Sequence, residues 1–168
     1  MNWQEVCNNP FLKDLPFKIE LNEWDQIVMS PASNKHGFFQ MKIGILLSRH
    51  TRNGEIISEC SIETEKGVKV ADVAWVSNEF LKVHGYETPY KKAPEICIEI
   101  ISPSNSEHEM HHKMKLYFDK GAKEVWFCND DGKIWFNDAD GLIACSQIAP
   151  KFPDDLSRVS PHSKTTIQ

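Results

Sequence analysis

Two carboxylates stand where apolar side chains belong. Asp72 lies in the middle of residues 68–76 (VKVADVAWV) and Glu99 within residues 96–101 (ICIEII), two nearly continuous apolar runs. Runs of this kind form central strands covered on both faces. Strand alternation puts Asp72 on the face of Val70, Ala74 and Val76, and Glu99 on the face of Cys97 and Ile101. Burying an unpaired carboxylate costs several kcal/mol, so such acids are paired, protonated or bound to a metal. Either acid alone reads as an ordinary ion pair or as a strand end reaching water. Two of them in two neighbouring apolar strands weaken that reading.

A lysine follows in the next helical segment, residues 106–120. At about 100° per residue, Met110, Met114, Tyr117 and Phe118 form its apolar face. Lys113 falls inside or at the edge of the same arc, one turn from Met110 and Tyr117, while His108, His112, Lys115 and Asp119 share the opposite face. By itself Lys113 reads as a snorkelling side chain whose stem covers apolar surface. Aimed at the sheet, it meets the acids. Two carboxylates and a lysine are the parts that metal-dependent phosphodiester hydrolysis uses. Hard oxygen ligands hold Mg²⁺ or Mn²⁺, which polarises the phosphate and lowers the pKa of a bound water. The lysine orients that water or steadies the charge that builds on phosphorus.

A second motif competes. Residues 108–112 (HEMHH) fit H-E-x-x-H, the zinc metalloprotease helix. Both histidines lie on the polar face, whereas such a protease buries that face in its active site, so a chance match is the stronger reading. No G-x-x-x-x-G-K-[ST], G-x-G-x-x-G or G-x-S-x-G loop is present, which leaves nucleotide binding of those kinds and serine hydrolysis unsupported.

The elements that must position these residues follow from pattern and breakers. Residues 18–21 and 26–30 alternate as a hairpin around 22–25. Ser30-Pro31-Ala32-Ser33 breaks the chain, and Ser33 or Asn34 caps a helix over residues 36–50, whose apolar positions are Phe39, Ile43, Leu46 and Leu47. Asn53-Gly54 turns into a strand over 55–63, and a short helix over 78–84 separates the two apolar strands. Ser102-Pro103 ends the second of these, and Gly121 stops the lysine-bearing helix. Residues 124–129 and 133–136 form a hairpin around Asp130-Asp131-Gly132. The sum is an α/β fold with a mixed central β-sheet flanked by helices, one domain over residues 1–156 and a loose tail over 157–168.

Composition limits the partners. A formal charge of −5 argues against a protein that coats nucleic acid, but less against a nuclease, where bound cations or a local basic patch supply positive charge. Five cysteines at wide spacing read as reduced core thiols, and no apolar run approaches the roughly 20 residues of a membrane span. With no signal-peptide pattern, the expected location is cytoplasmic.

The order of motifs is specific. MSP-x-S-x-x-H (Met29 to His36), D-V-A-W-V (Asp72 to Val76), E-I-I-S-P-S (Glu99 to Ser104), K-x-x-x-Y (Lys113 to Tyr117) and G-A-K-E-V-W (Gly121 to Trp126) together resemble the Uma-two family. That family is grouped with the endonucleases of the restriction-endonuclease-like, PD-(D/E)xK superfamily, and the resemblance covers roughly residues 17–135. It implies a metal-dependent endonuclease acting on DNA, with Asp72 and Glu99 as metal ligands, the backbone carbonyl of Ile100 as a further ligand, and Mg²⁺ or Mn²⁺ as cofactor. The superfamily's lysine stands two residues after the second acid. Ile101 occupies that place here, and the role passes to Lys113. Glu20 and His36 match the family's early acid and histidine, as accessory residues. Ala71 stands where a proline is usual. Cutting both strands of a duplex needs two sites, so a homodimer is expected, with residues 124–129 or the Trp126/Trp135 hairpin as its contact. The alternative is a catalytically silent fold of the same type that binds nucleic acid or protein.

Overall fold

The two apolar runs form the centre of a sheet. The computed structural model describes residues 1–31, 33–102 and 105–159. In chain order these form α1 (Trp3–Cys7), β1 (Phe17–Leu21), β2 (Ile27–Pro31), α2 (Asn34–His50), β3 (Gly54–Thr64), β4 (Gly67–Ser77), α3 (Asn78–His84), β5 (Ile96–Ile100), α4 (Glu107–Asp119), β6 (Glu124–Cys128), β7 (Ile134–Asp138) and β8 (Gly141–Ile143), with a 3-10 turn at Leu156–Arg158. The main sheet has the order β3-β4-β5-β6-β7-β8, and β1 and β2 make a separate ribbon. All neighbours in the main sheet are antiparallel except β5 and β6, which are parallel. A parallel pair needs a crossover, and α4 is that crossover.

Helices cover both faces, as the unbroken apolar runs require. On one face α2 sets Phe39, Ile43, Leu46 and Leu47 against Val73, Trp75, Ile96 and Ile98. On the other, Phe80 of α3 and Tyr117 of α4 pack with Ala74, Val76, Cys97 and Val125. A smaller cluster of Val6, Leu21 and Val68 fastens α1 and the ribbon to the start of β4. The β3–β4 turn allows that approach through Gly67, whose φ is +83° and where a Cβ would lie 2.2 Å from the Asn22 carbonyl oxygen. No side chain fits there, and the positive φ suits glycine. The ribbon is held further by Lys69 Nζ, which donates to the Leu21 carbonyl at 3.1 Å.

The expected elements are present, with ends shifted by a residue or two. Ser33 caps α2 and accepts a hydrogen bond from the His36 amide, and Ser106 with Glu109 forms a capping box at the start of α4. The pattern did not announce α1 or β8, which are five and three residues long, too short for a periodic signal. One expectation is overturned. β6 lies between β5 and β7, every residue of it is buried, and Trp126 is fully enclosed, so this strand offers no surface for a second copy. Of the expected tail, residues 157–159 continue from the fully buried Leu156, and Val159 packs on the core. Residues 160–168 lie outside the described residues, as do Ala32 and Pro103 of the expected breakers and Ser104 of the E-I-I-S-P-S motif. Among the described residues, no helix is long and apolar enough to cross a membrane.

Candidate active site

The site forms where a strand pairing gives way. β4 and β5 pair through Trp75↔Ile96, Ala74↔Cys97 and Val73↔Ile98, and the ladder stops there. One further step of the same register sets Asp72 opposite Glu99. Facing residues of an antiparallel pair project to the same side, so the two carboxylates emerge together. In place of the next ladder bond, the Ile100 amide donates to Asp72 Oδ2 at 2.6 Å. Both acids are buried, 1% and 5% exposed respectively.

Three other elements bring groups to this point. From β1, Lys18 Nζ donates to Asp72 Oδ1 at 2.6 Å and to Glu99 Oε2 at 3.1 Å. From α4, Lys113 Nζ donates to Glu99 Oε2 at 3.0 Å and pairs with Glu20 Oε1 at 2.8 Å. One turn along α4, the Tyr117 hydroxyl donates to Glu99 Oε1 at 2.5 Å. Glu20 Oε1 also accepts the Val70 amide at 2.9 Å, which ties the ribbon to β4. In the first turn of α2, His36 Nε2 stands 3.3 Å from Asp72 Oδ1. Asp72, Glu99, Lys113, Glu20 and His36 therefore meet in one network, joined by the amide of Ile100.

Electrostatics follow from the crowding. Burial works to raise the Asp72 carboxyl, but the His36 hydrogen bond and the Lys18 charge outweigh it and hold the group well below the ordinary carboxylate range. Glu20 is also lowered, because the charges of Lys113 and Lys18 override its burial. Burial would lower both lysines. The charges of Glu99, Asp72 and Glu20 reverse this for Lys18, and Glu99 and Glu20 reverse it for Lys113, so both are raised and remain ammonium ions. The hydrogen bond to Asp72 raises His36 against the opposing effect of burial.

The donor set fits a hard divalent cation. Asp72 and Glu99 already converge on one positive charge, the Lys18 ammonium, so they are spaced to share a cation, and oxygen donors of this kind suit Mg²⁺ or Mn²⁺. The competing zinc motif gathers nothing similar. His108 and His112 are exposed on α4 with parallel rings 6.5 Å apart, away from the buried acids.

Sequence reasoning missed Lys18. It alternates with Ile19 on a short polar-apolar strand and reads as the wet face of a hairpin. The available signal was Glu20, which had been singled out two residues away and whose strand neighbours on the same face include Lys18.

Comparisons with known proteins give the chain's fold relatives and its family. No curated protein matches the chain. Four solved chains do, among them the 1.96 Å crystal structure of a "putative nuclease belonging to DUF820" from Anabaena variabilis. It is 17% identical, with a TM-score of 0.61 over 78% of this chain and 83% of that one, and shares the mixed-sheet α/β fold. The Uma2 family model, described as "Putative restriction endonuclease", matches residues 11–144, a span that runs from before the ribbon through β8 and holds every residue of the network. The chain belongs to the Uma2 family.

Proposed function

We propose that this protein is a Mg²⁺- or Mn²⁺-dependent endonuclease that hydrolyses phosphodiester bonds in DNA. The observation that carries the reading is the meeting of Asp72, Glu99 and Lys113, three residues from three elements, at one buried point beside the rim groups Glu20 and His36. Asp72, Glu99 and the Ile100 carbonyl would hold the metal, which when bound polarises the phosphate and acidifies a water. Lys113, kept as an ammonium, steadies the charge growing on the phosphoryl oxygens or orients the water as a donor. Its raised pKa disqualifies it as a general base. Tyr117 fixes one oxygen of Glu99 and leaves the other free to face cations. Glu20 steers Lys113, and His36 orients Asp72. Residues 1–156 act as one domain, the protein works in the cytoplasm, and a homodimer supplies the second site for duplex cleavage.

A second reading has its own observation. Lys18 neutralises Asp72 and Glu99 from within the chain, so the network is internally satisfied and also suits a silent module that binds nucleic acid or protein. Titration calorimetry with Mn²⁺ and Mg²⁺ separates the two, on wild type beside Asp72→Asn and Glu99→Gln, followed by supercoiled-plasmid nicking with Lys113→Ala. The nuclease reading expects binding lost in both acid variants, and cleavage lost in Lys113→Ala with metal binding kept. Binding indifferent to both acid changes moves the assignment to the silent module. A Lys113→Ala enzyme that cuts at the wild-type rate removes Lys113 from the mechanism.

A further inference from the structure

Beside Asp72, in addition to Glu99, stand two further donors. His36, Glu59 and Asp72 each offer one ligand atom, and these atoms all lie within 4.8 Å of one another. They come from α2, β3 and β4, so no single element forces them together. The 3.3 Å between His36 Nε2 and Asp72 Oδ1 is close to the roughly 3 Å that separates adjacent ligands of an octahedral cation with bonds of about 2.1 Å. Glu59 is aimed by its surroundings. It sits with φ +52° in the middle of β3, where the register skips from Ser58↔Val73 to Cys60↔Ala71 and leaves Glu59 and Asp72 facing without a ladder pair. Gln40, one turn beyond His36, donates to Glu59 Oε1 at 2.6 Å and to the Asp72 carbonyl at 2.8 Å, the kind of outer support that orients metal-binding carboxylates. Glu59 and Lys18 also line a cleft of about 250 Å³ between α1 and β1, so the Glu59 end of the cluster is reached from solvent.

From this arrangement we infer that His36, Glu59 and Asp72 form a second cation position, sharing Asp72 with the Asp72/Glu99 position and taking imidazole-tolerant divalent ions. An imidazole beside two carboxylates favours Mn²⁺, Co²⁺ or Zn²⁺ over Mg²⁺ and Ca²⁺. Two cations flanking one shared aspartate is the layout with which phosphodiester hydrolysis stabilises both the attacking and the leaving oxygen. The inference rests on the reading of Asp72 as a metal ligand, but it does not require Glu99 to be one.

Co²⁺ is the probe, followed by its visible d–d absorption and by calorimetry. The background is His108→Ala, because an exposed pair of histidines one helical turn apart chelates transition metals by itself. Glu59→Gln and His36→Gln should each weaken Co²⁺ binding by about tenfold or more and alter the absorption band. Gln40→Ala, which removes a hydrogen bond to Glu59 but no ligand atom, should weaken binding by a smaller factor. Folding is checked for every variant by thermal melting. Co²⁺ binding that survives both Glu59→Gln and His36→Gln overturns the second position, as does wild type that binds no Co²⁺. Mg²⁺ binding indifferent to Glu99→Gln, with Co²⁺ binding still sensitive to Glu59, overturns the Asp72/Glu99 position and spares this one.

Discussion

At the scale of single residues, the network is a set of buried charges stable only as a set. Removing one partner from a buried pair leaves the other uncompensated and costs about 3–5 kcal/mol. The acids set the pH response. Asp72 and Glu20 are held below their ordinary values of 3.8 and 4.5, so their stabilising contribution is full above that range and is lost as pH falls through their lowered values. His36 runs the opposite way. Its raised value means a contribution present at low pH that fades as pH climbs past it. Urea midpoints should therefore fall on acidification below about pH 5, by a contribution on the order of 2–3 kcal/mol. In Lys18→Met, where Asp72 loses its nearest full charge, the acid slope should be shallower. Equal slopes in the two proteins would show that Lys18 does not hold Asp72 down. Asp72, Glu99 and Lys113 were legible in the sequence because each contradicts an apolar pattern around it. Lys18 and Glu59 contradict nothing local. Lys18 is buried by a ribbon crossing a strand from another part of the chain, and Glu59, though exposed, is brought beside His36 and Asp72 at a backbone angle that sequence does not display.

At the scale of elements, the ribbon is the part on which the site depends and the part least fixed by pattern. The alternation of residues 18–21 and 26–30 identified a hairpin, and the structure has one over 17–21 and 27–31. Nothing in that alternation said that the hairpin would lie across β4 instead of joining the sheet. The contact is made at Gly67, which meets the Asn22 and Leu21 carbonyls. Gly67→Ala places a methyl group against backbone and an L residue at positive φ, and should destabilise the fold by about 2–3 kcal/mol. Its more telling effect is selective. As the ribbon lifts, Lys18 and Glu20 leave the acids, so the acid slope of stability should flatten toward that of Lys18→Met. A wild-type urea midpoint in Gly67→Ala would show that the ribbon sits against β4 without this close approach. The central strands were easier to read, since a run apolar on both faces has few homes other than the middle of a covered sheet.

At the scale of the molecule, a sheet covered on both sides divides the cysteines into two populations. Cys60, Cys97 and Cys128 are buried, and Cys7 and Cys145 are exposed. Burial pushes Cys60 and Cys128 up to about 12 and raises Cys97 well above the usual thiol range, so none of the three is a thiolate at neutral pH. Reaction with an aromatic disulfide reagent near pH 8 should modify Cys145 quickly, Cys7 more slowly because partial burial raises its thiol too, and the other three only after unfolding. Five fast thiols in native buffer would mean that the two helical layers do not close over the sheet.

The span of the network along the chain also sets when it can exist. The bonds from Lys18 to Asp72 and to Glu99 join residues 54 and 81 positions apart, and Lys113 comes later still. A chain growing from its N-terminus therefore makes Lys18 first, the acids afterwards and Lys113 last. Contacts that close loops of this length form late in folding. An incomplete chain accordingly carries the parts of the network without the network, which exists only in the finished fold.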